Sequence, residues 1–400
     1  MSKNVKLNDI ASYSNTRIKI SDITLDTYIT TDNLLQNKAG ICKATNLPPQ
    51  DGTMPAYQKN DILIGNIRPY LKKIWFADRN GGASPDVLVL NVHETYDPKY
   101  VYYTLFRDDF FDHVMKGSKG TKMPRGDKSQ VLDFLIPDFD LPTQQKIASV
   151  LSSLDAKIEL NNRINAELEA MAKTLYDYWF VQFDFPNAEG KPYKSSGGAM
   201  VWSEDLKREI PEGWKVGTLL DIATYTNGLA CQKYRPVNDD TLRVIKIREM
   251  KDGFSASSEL VRVDIPEKVI VENGDVLFSW SASLEVIVWA KGRGALNQHI
   301  FKVTSEKYPK SFYYYQLVNY LQHFKMLAEN RKTTMGHITQ EHLQQSRIAV
   351  PSSDGLIKLL DEKITPILDK QIAIEQENQQ LTQLRDWLLP MLMNGQVVVE

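Results

Sequence analysis

Residues 154–162 read LDAKIELNN, and residues 368–376 read LDKQIAIEQ. Both open on Leu-Asp, and in both the apolar positions recur every three or four residues. Followed outward, each belongs to a long helix with a narrow apolar seam. In the first, Ile147, Leu151, Leu154, Ile158, Leu168, Leu175 and Trp179 fall on a 4,3 alternation that also passes through Asn161, Asn165 and Ala172. In the second, Leu360, Ile364, Ile367, Ile374, Leu381, Leu388 and Leu392 do the same, with Gln371, Asn378 and Arg385 on the seam. Such a period marks helices that pair, and polar residues on the seam weaken packing but fix register. Pro142 marks the first helix start, Ser352 or Ser353 caps the second, and Asn394-Gly395 closes it. Each helix is predicted at about 40 residues, or roughly 60 Å at 1.5 Å per residue.

The repetition extends to the whole chain. At the same 214-residue offset Asp61 matches Asp275, Leu63 matches Leu277, Trp75 matches Trp289 and Pro137 matches Pro351. With a two-residue slip Met123 pairs with Met335, and LNDIASY from Leu7 corresponds to LLDIATY from Leu219. Each half opens on strand-rich sequence, NDILIGNIRPYLKKIWFA or NGDVLFSWSASLEVIVWA, continues into aromatic helical stretches and ends in one of the long helices. This predicts an α+β chain with an internal repeat. A first lobe spans 1–140, a first helix 141–182, a connector 183–212, a second lobe 213–351, a second helix 352–394 and a tail 395–400.

Bulk properties narrow the class. The 400 residues suit two or more domains, and the net charge of −2 confines any nucleic-acid binding to local patches. No apolar run spans a bilayer, no secretory leader is visible, and Cys42 and Cys231 form no redox or metal spacing. These features point to a cytoplasmic protein without a membrane association. Phosphate-binding loops, dinucleotide fingerprints, nucleophile elbows and zinc spacings are absent, as is the amino-methylating tetrapeptide, so no catalytic or metal residue is expected.

Basic, Thr-rich or Gly-rich stretches are the candidates for binding. In the first lobe they contribute Arg68, Tyr70, Lys72 and Lys73, and then Lys116, Lys119, Thr121, Lys122 and Arg125. In the second they contribute Gln232, Lys233, Arg235, Asn297, Gln298 and His299, and then Arg331, Lys332, Thr333, Thr334 and His337. Short polar residues between cations suit phosphates, and Arg, Lys, Asn and Gln suit base edges. The helix-pair and partner interface is assigned to Leu151, Leu154, Ile158, Leu168, Leu175 and Trp179 with Ile364, Ile374, Leu381 and Leu388. Tyr176 and Tyr178 are further aromatics near the end of the first helix that could dock a protein.

The stretch LPTQQKIASVLSSLDAKIELNNRINAELEAMAKTLYDYWFVQFDFP, together with GKPYKSSGGAMVWSEDLKREIPEGW, DILIGNIRPYLKK and LLPMLMNGQVVV, resembles the DNA-specificity subunits of Type I restriction–modification systems. The resemblance implies two target-recognition domains, each reading one half of a split site in double-stranded DNA. It implies an antiparallel coiled-coil helix pair, with pseudo-twofold repetition, that sets the unread spacer. The partners it implies are methyltransferase subunits, two of them, and restriction–translocase subunits. The chain itself would hold no cofactor, the methyl donor and ATP lying on partner subunits. VPSSDGLIKLLDEK departs from the LPTQQK form of its counterpart. Two other readings are a degenerate fused DNA methyltransferase or nuclease, which predicts cofactor binding by the chain alone, and a scaffold that does not bind DNA.

Overall fold

The computed structural model describes residues 3–49, 51–120, 122–281, 283–330 and 337–399. The chain divides into two units, one formed by Met1–Ile158 with Leu381–Glu400 and the other by Glu159–Gln380. Each mixes helices with short-stranded sheets, and one long helix, Leu141–Tyr176, continues as a π-helical turn over Asp177–Val181. No helix among the described residues is long and apolar enough to cross a membrane.

In the first unit the stretch DILIG supplies the strand Ile62–Gly65. It lies inside an antiparallel sheet ordered Ala11–Tyr13, Val87–Val92, Ile62–Gly65, Ile74–Phe76. The strand's near-continuous apolar run follows from its position, because both its faces are covered. Ile62 and Ile64 enter one cluster with Tyr100, Phe110 and Phe111, whereas Leu63 enters another with Tyr57, Trp75 and Val89. The aromatic run after Asp97 forms the helices Pro98–Leu105 and Asp108–Lys116 that cover the first face. That cluster is completed by Ile147, Ala148 and Leu151 of the first long helix and by Leu389, Leu392 and Met393 of the second.

In the second unit the strand Val276–Ser279 occupies the same place in a sheet ordered Thr224–Asn227, Ile300–Thr304, Val276–Ser279, Glu285–Val288. Val276 and Phe278 pack toward Phe312 and Phe324 of the helix Lys310–Asn330, and Leu277 packs toward Trp289. Asp275 accepts from Glu272 N–H at 2.8 Å, as Asp61 accepts from Gln58 N–H at 2.6 Å. The two carboxylates thus fix the turn before the central strand in the same way.

Asp140 caps the first long helix by accepting from Thr143 N–H at 3.0 Å. The second runs Asp354–Met393 and stops at Gly395, whose φ of +67° is the left-handed conformation that glycine adopts without strain. The polar seam residues bond to one another. Within the second unit Asn161 Nδ2 donates to Asn378 Oδ1 at 2.9 Å and to Glu377 Oε2 at 2.7 Å, and Gln371 Nε2 donates to Asn165 O at 3.2 Å. Within the first unit Arg385 pairs with Asp155 at 2.8 Å, and Tyr103 Oη donates to the other oxygen of Asp155 at 2.7 Å. The Arg385 and Asp155 side chains are only 15% and 30% exposed, so Arg385→Ala leaves a poorly solvated carboxylate behind. It is expected to cost about 2–4 kcal/mol of stability, read as a lower denaturant midpoint.

The aromatics at the end of the first long helix need correction as a docking surface. Tyr176 stacks on Phe180 and Tyr315, and Trp179 is 5% exposed, so both are core residues of the second unit. Phe183 and Phe185 of the connector join them around Trp214. Only Tyr178 of the three faces outward. Leu151, Ile364 and Ile374 are buried, and Leu154, Ile158, Leu168, Leu175, Leu381 and Leu388 are half-buried.

Candidate nucleic-acid interface

In the first unit two basic segments distant in sequence meet at the end of the central strand. Ile67 pairs with Arg125 as an isolated bridge, Arg68 N–H donates to Pro124 O at 2.7 Å, and Gly126 N–H donates to Asn66 O at 3.1 Å. Gly126 is required for this approach, since a Cβ there would lie 2.8 Å from both Asn66 Oδ1 and Val114 Cγ1. Lys119 and Arg125 exchange backbone hydrogen bonds and close the loop after the helix that ends at Lys116. Arg68 takes a left-handed backbone with φ +53°, a strained choice for a side-chain-bearing residue.

The side chains divide by their surroundings. Tyr70, Lys116, Lys119, Lys122 and Arg125 are exposed. Lys119 lies 3.4 Å from Asp127, whose carboxyl is held at about 2 by hydrogen bonds from Ser129, from the Ser129 and Gln130 amides and from Lys119. Arg125 pairs with Asp86 at 3.0 Å. Lys72 is turned to Asp108 at 3.0 Å, which removes it from the free cations of the loop. Lys73 is a correction: it is 9% exposed, its ammonium donates to Thr31 O, and burial pushes its pKa down. It supports the loop from beneath and presents no charge to a ligand.

The second unit builds a related site. Leu229 N–H donates to Leu296 O at 2.7 Å and Gln298 N–H to Leu229 O at 2.9 Å, which ties the segment before Gln232, Lys233 and Arg235 to the segment containing Gln298. Those three side chains are exposed and Gln298 is half-buried. Asn297 is a second correction: it is 9% exposed, its Oδ1 accepts from His299 N–H at 3.3 Å, and its amide lies 3.9 Å from Cys231 Sγ. It holds the loop together and is not available to bases. Gly228 permits the approach, because a Cβ there would collide with the backbone oxygens of Leu296 and Asn297. Gly228→Ala is therefore expected to cost about 2–3 kcal/mol by overpacking, visible as a lower melting temperature. His337 is exposed and its ring meets Trp280 at 5.6 Å. Arg331, Lys332, Thr333, Thr334 and Thr121 lie outside the described residues.

Asn66, Asp86 and Trp280 also stand at these strand ends beside the candidate His299, and the basic-patch criterion passed over those three. Their signal was topological, since each adjoins a central strand at the end where the loops gather. Among the described residues no cluster of three or more His, Cys, Asp or Glu side chains could hold a metal ion.

Comparison with known proteins places this arrangement in a family. The chain is 24% identical over 461 aligned positions to the Type I restriction enzyme HindI specificity subunit of Haemophilus influenzae, covering 99% of both chains. It is 26% identical to the MjaIX specificity subunit of Methanocaldococcus jannaschii, over 76% of this chain and 69% of that one. The crystal structure of a Type I restriction–modification S subunit from M. genitalium superposes with a TM-score of 0.58 at 15% identity, covering 98% of this chain and 96% of the other, which establishes a shared fold. Residues 2–170 and 211–385 match the family of the Type I restriction modification DNA specificity domain, and the chain belongs to that family.

Proposed function

We propose that this chain is the sequence-reading subunit of a Type I restriction–modification complex, with each lobe reading one half of a bipartite duplex target. The observation that carries the reading is the convergence, in each unit, of chain-distant polar and basic loops at the same end of the central strand. Its role is recognition without a catalytic step, in keeping with a family of specificity domains. Methylation and translocation belong to partner subunits, which would hold the methyl donor and ATP.

The two long helices form an antiparallel coiled coil in this proposal, and the two halves of the chain repeat about a pseudo-twofold axis. The pairs Asp155–Arg385, Asn161–Asn378 and Asn165–Gln371 support it, because the numbers rise along one helix as they fall along the other. The lobes are 1–140 and 213–351, and the helices set the spacer between half-sites. Leu160, Ile164, Met171 and Tyr178 leave an exposed apolar stripe on the first helix, suited to docking a methyltransferase subunit, two per complex, with restriction subunits joining them.

The test is retention of labelled duplex by the chain with its methylating partner, with and without the methyl donor. Salt-sensitive, sequence-dependent retention supports the reading, whereas cofactor binding or methylation by the isolated chain would contradict it. Lys116→Ala and Lys122→Ala are expected to weaken binding to all sequences alike. The slope of log affinity against log salt should flatten by about 0.9 for each phosphate that the variant no longer neutralises.

A further inference from the structure

Three backbone positions recur at the reading ends of the two units. In the first unit Asn66 follows the central strand, donates its N–H to Asp86 O at 2.9 Å and accepts through its carbonyl from Gly126 N–H at 3.1 Å. In the second Trp280 follows the central strand, donates its N–H to His299 O at 3.3 Å and accepts through its carbonyl from Ile338 N–H at 2.9 Å. The residues before those last donors are Arg125 and His337. One frame therefore presents three side chains in each unit: Asn66, Asp86 and Arg125 in the first, and Trp280, His299 and His337 in the second.

In the second unit the three side chains pack together, and in the first two of them pair while the third lies against the neighbouring backbone. Arg125 bonds Asp86 at 3.0 Å, and Asn66 Oδ1 lies against Gly126, the residue after Arg125. The Trp280 ring sits 5.5 Å from the His299 ring and 5.6 Å from the His337 ring, with its indole N–H fixed on Asn227 at 3.0 Å. Each cluster also holds a buried polar atom with no partner among the described residues, Asn66 Oδ1 in one and His299 Nδ1 in the other. A buried polar atom left unpaired is costly and marks a place where a ligand can supply the partner. A shared frame with unlike contents is what two readers of unlike half-sites require.

We infer that these three frame positions discriminate bases, the first trio by hydrogen bonds and the second by an aromatic–imidazole surface. The inference rests on the DNA-reading function proposed above. An Arg fork aligned by a carboxylate, beside an amide, matches the purine edges of the major groove, with guanine O6 and N7 taken by Arg and adenine N6 and N7 by Asn. An indole face flanked by imidazoles offers apolar contact to the thymine methyl together with a single donor or acceptor.

The experiment uses the complete complex of this chain with its methylating partner on a randomised duplex library, with methylated sites read by sequencing. Arg125→Ala removes a 62%-exposed side chain and should leave the melting temperature unchanged. It is expected to reduce discrimination at one base pair of one half-site by about ten- to a hundredfold, with the other half-site intact. Arg125→Lys keeps the charge but loses the fork, so it should not restore the preference. His337→Ala should alter the other half-site alone. Unchanged preferences in both alanine variants would overturn the inference, as would uniform weakening on all sequences that Arg125→Lys repairs, the behaviour of a phosphate-binding cation. A wild-type complex with no sequence preference would instead sink the DNA-reading function itself.

Discussion

A chimera that takes Met1–Ile158 and Leu381–Glu400 together from another family member is expected to methylate sites that keep one parental half and change the other completely. The choice of segments follows from packing. The cluster under the first lobe joins Leu7, Ile10, Tyr100, Phe110 and Phe111 to Ile147, Ala148 and Leu151, and also to Leu389, Leu392 and Met393. Exchanging 1–140 alone sets a foreign sheet and helices against six resident side chains shaped for another surface. Misfitted large apolar residues in a core cost about 2–5 kcal/mol each when a cavity results, and about 1–3 kcal/mol when overpacked. The 1–140 exchange is therefore expected to melt well below the parent, and the two-segment exchange to melt near it. Mapping methylated positions and melting both chimeras checks the pair of outcomes. A two-segment chimera that changed both half-sites would refute independent reading by the lobes.

The second large effect concerns the spacer. The polar seam pairs make single-helix insertion a poor test, because four residues added near Asn161 would part it from Asn378 and Glu377. Matched insertions, four residues between Asp155 and Asn161 and four between Asn378 and Arg385, keep both sets of partners. One added turn lengthens the pair by about 6 Å, which corresponds to one or two base pairs at 3.4 Å each, depending on the inclination of the helices to the duplex. The expected result is an unread gap longer by that amount with both half-sites unchanged. The unmatched insertion should instead lower stability. An unaltered gap in a well-folded matched variant would exclude a ruler role for the helices.

The seam was legible in the sequence because helical period and polar interruptions survive any tertiary context: Asn161, Asn378, Asn165, Gln371 and Arg385 were placed by spacing, and they bond across helices. The central strands were legible because burial on both faces demands an unbroken apolar run, as in Ile62–Ile64 and Val276–Phe278. Side-chain direction in the loops was not. Lys72 and Lys73 are adjacent cations in the sequence, yet one reaches Asp108 and the other turns under the strand to Thr31. Asn297 carries a base-reading amide by type and uses it inside the loop. The clusters Asn66–Asp86–Arg125 and Trp280–His299–His337 bring together residues from three separate segments, and no local spacing encodes such a meeting.

The return of the second helix to the first lobe has a consequence for biosynthesis. Leu389, Leu392 and Met393 are buried in the same cluster as Leu7 and Ile10. Roughly 240 residues of intervening chain separate the lobe's own sequence from these closing residues, which at 5–20 residues per second is about 10–50 s of translation. Throughout that interval the nascent first lobe carries an open apolar face, while Glu159–Gln380 contains every segment of the second unit and can close first. The lobe that is translated before the other is thus the one whose core closes after it, and its apolar face stays open in the meantime.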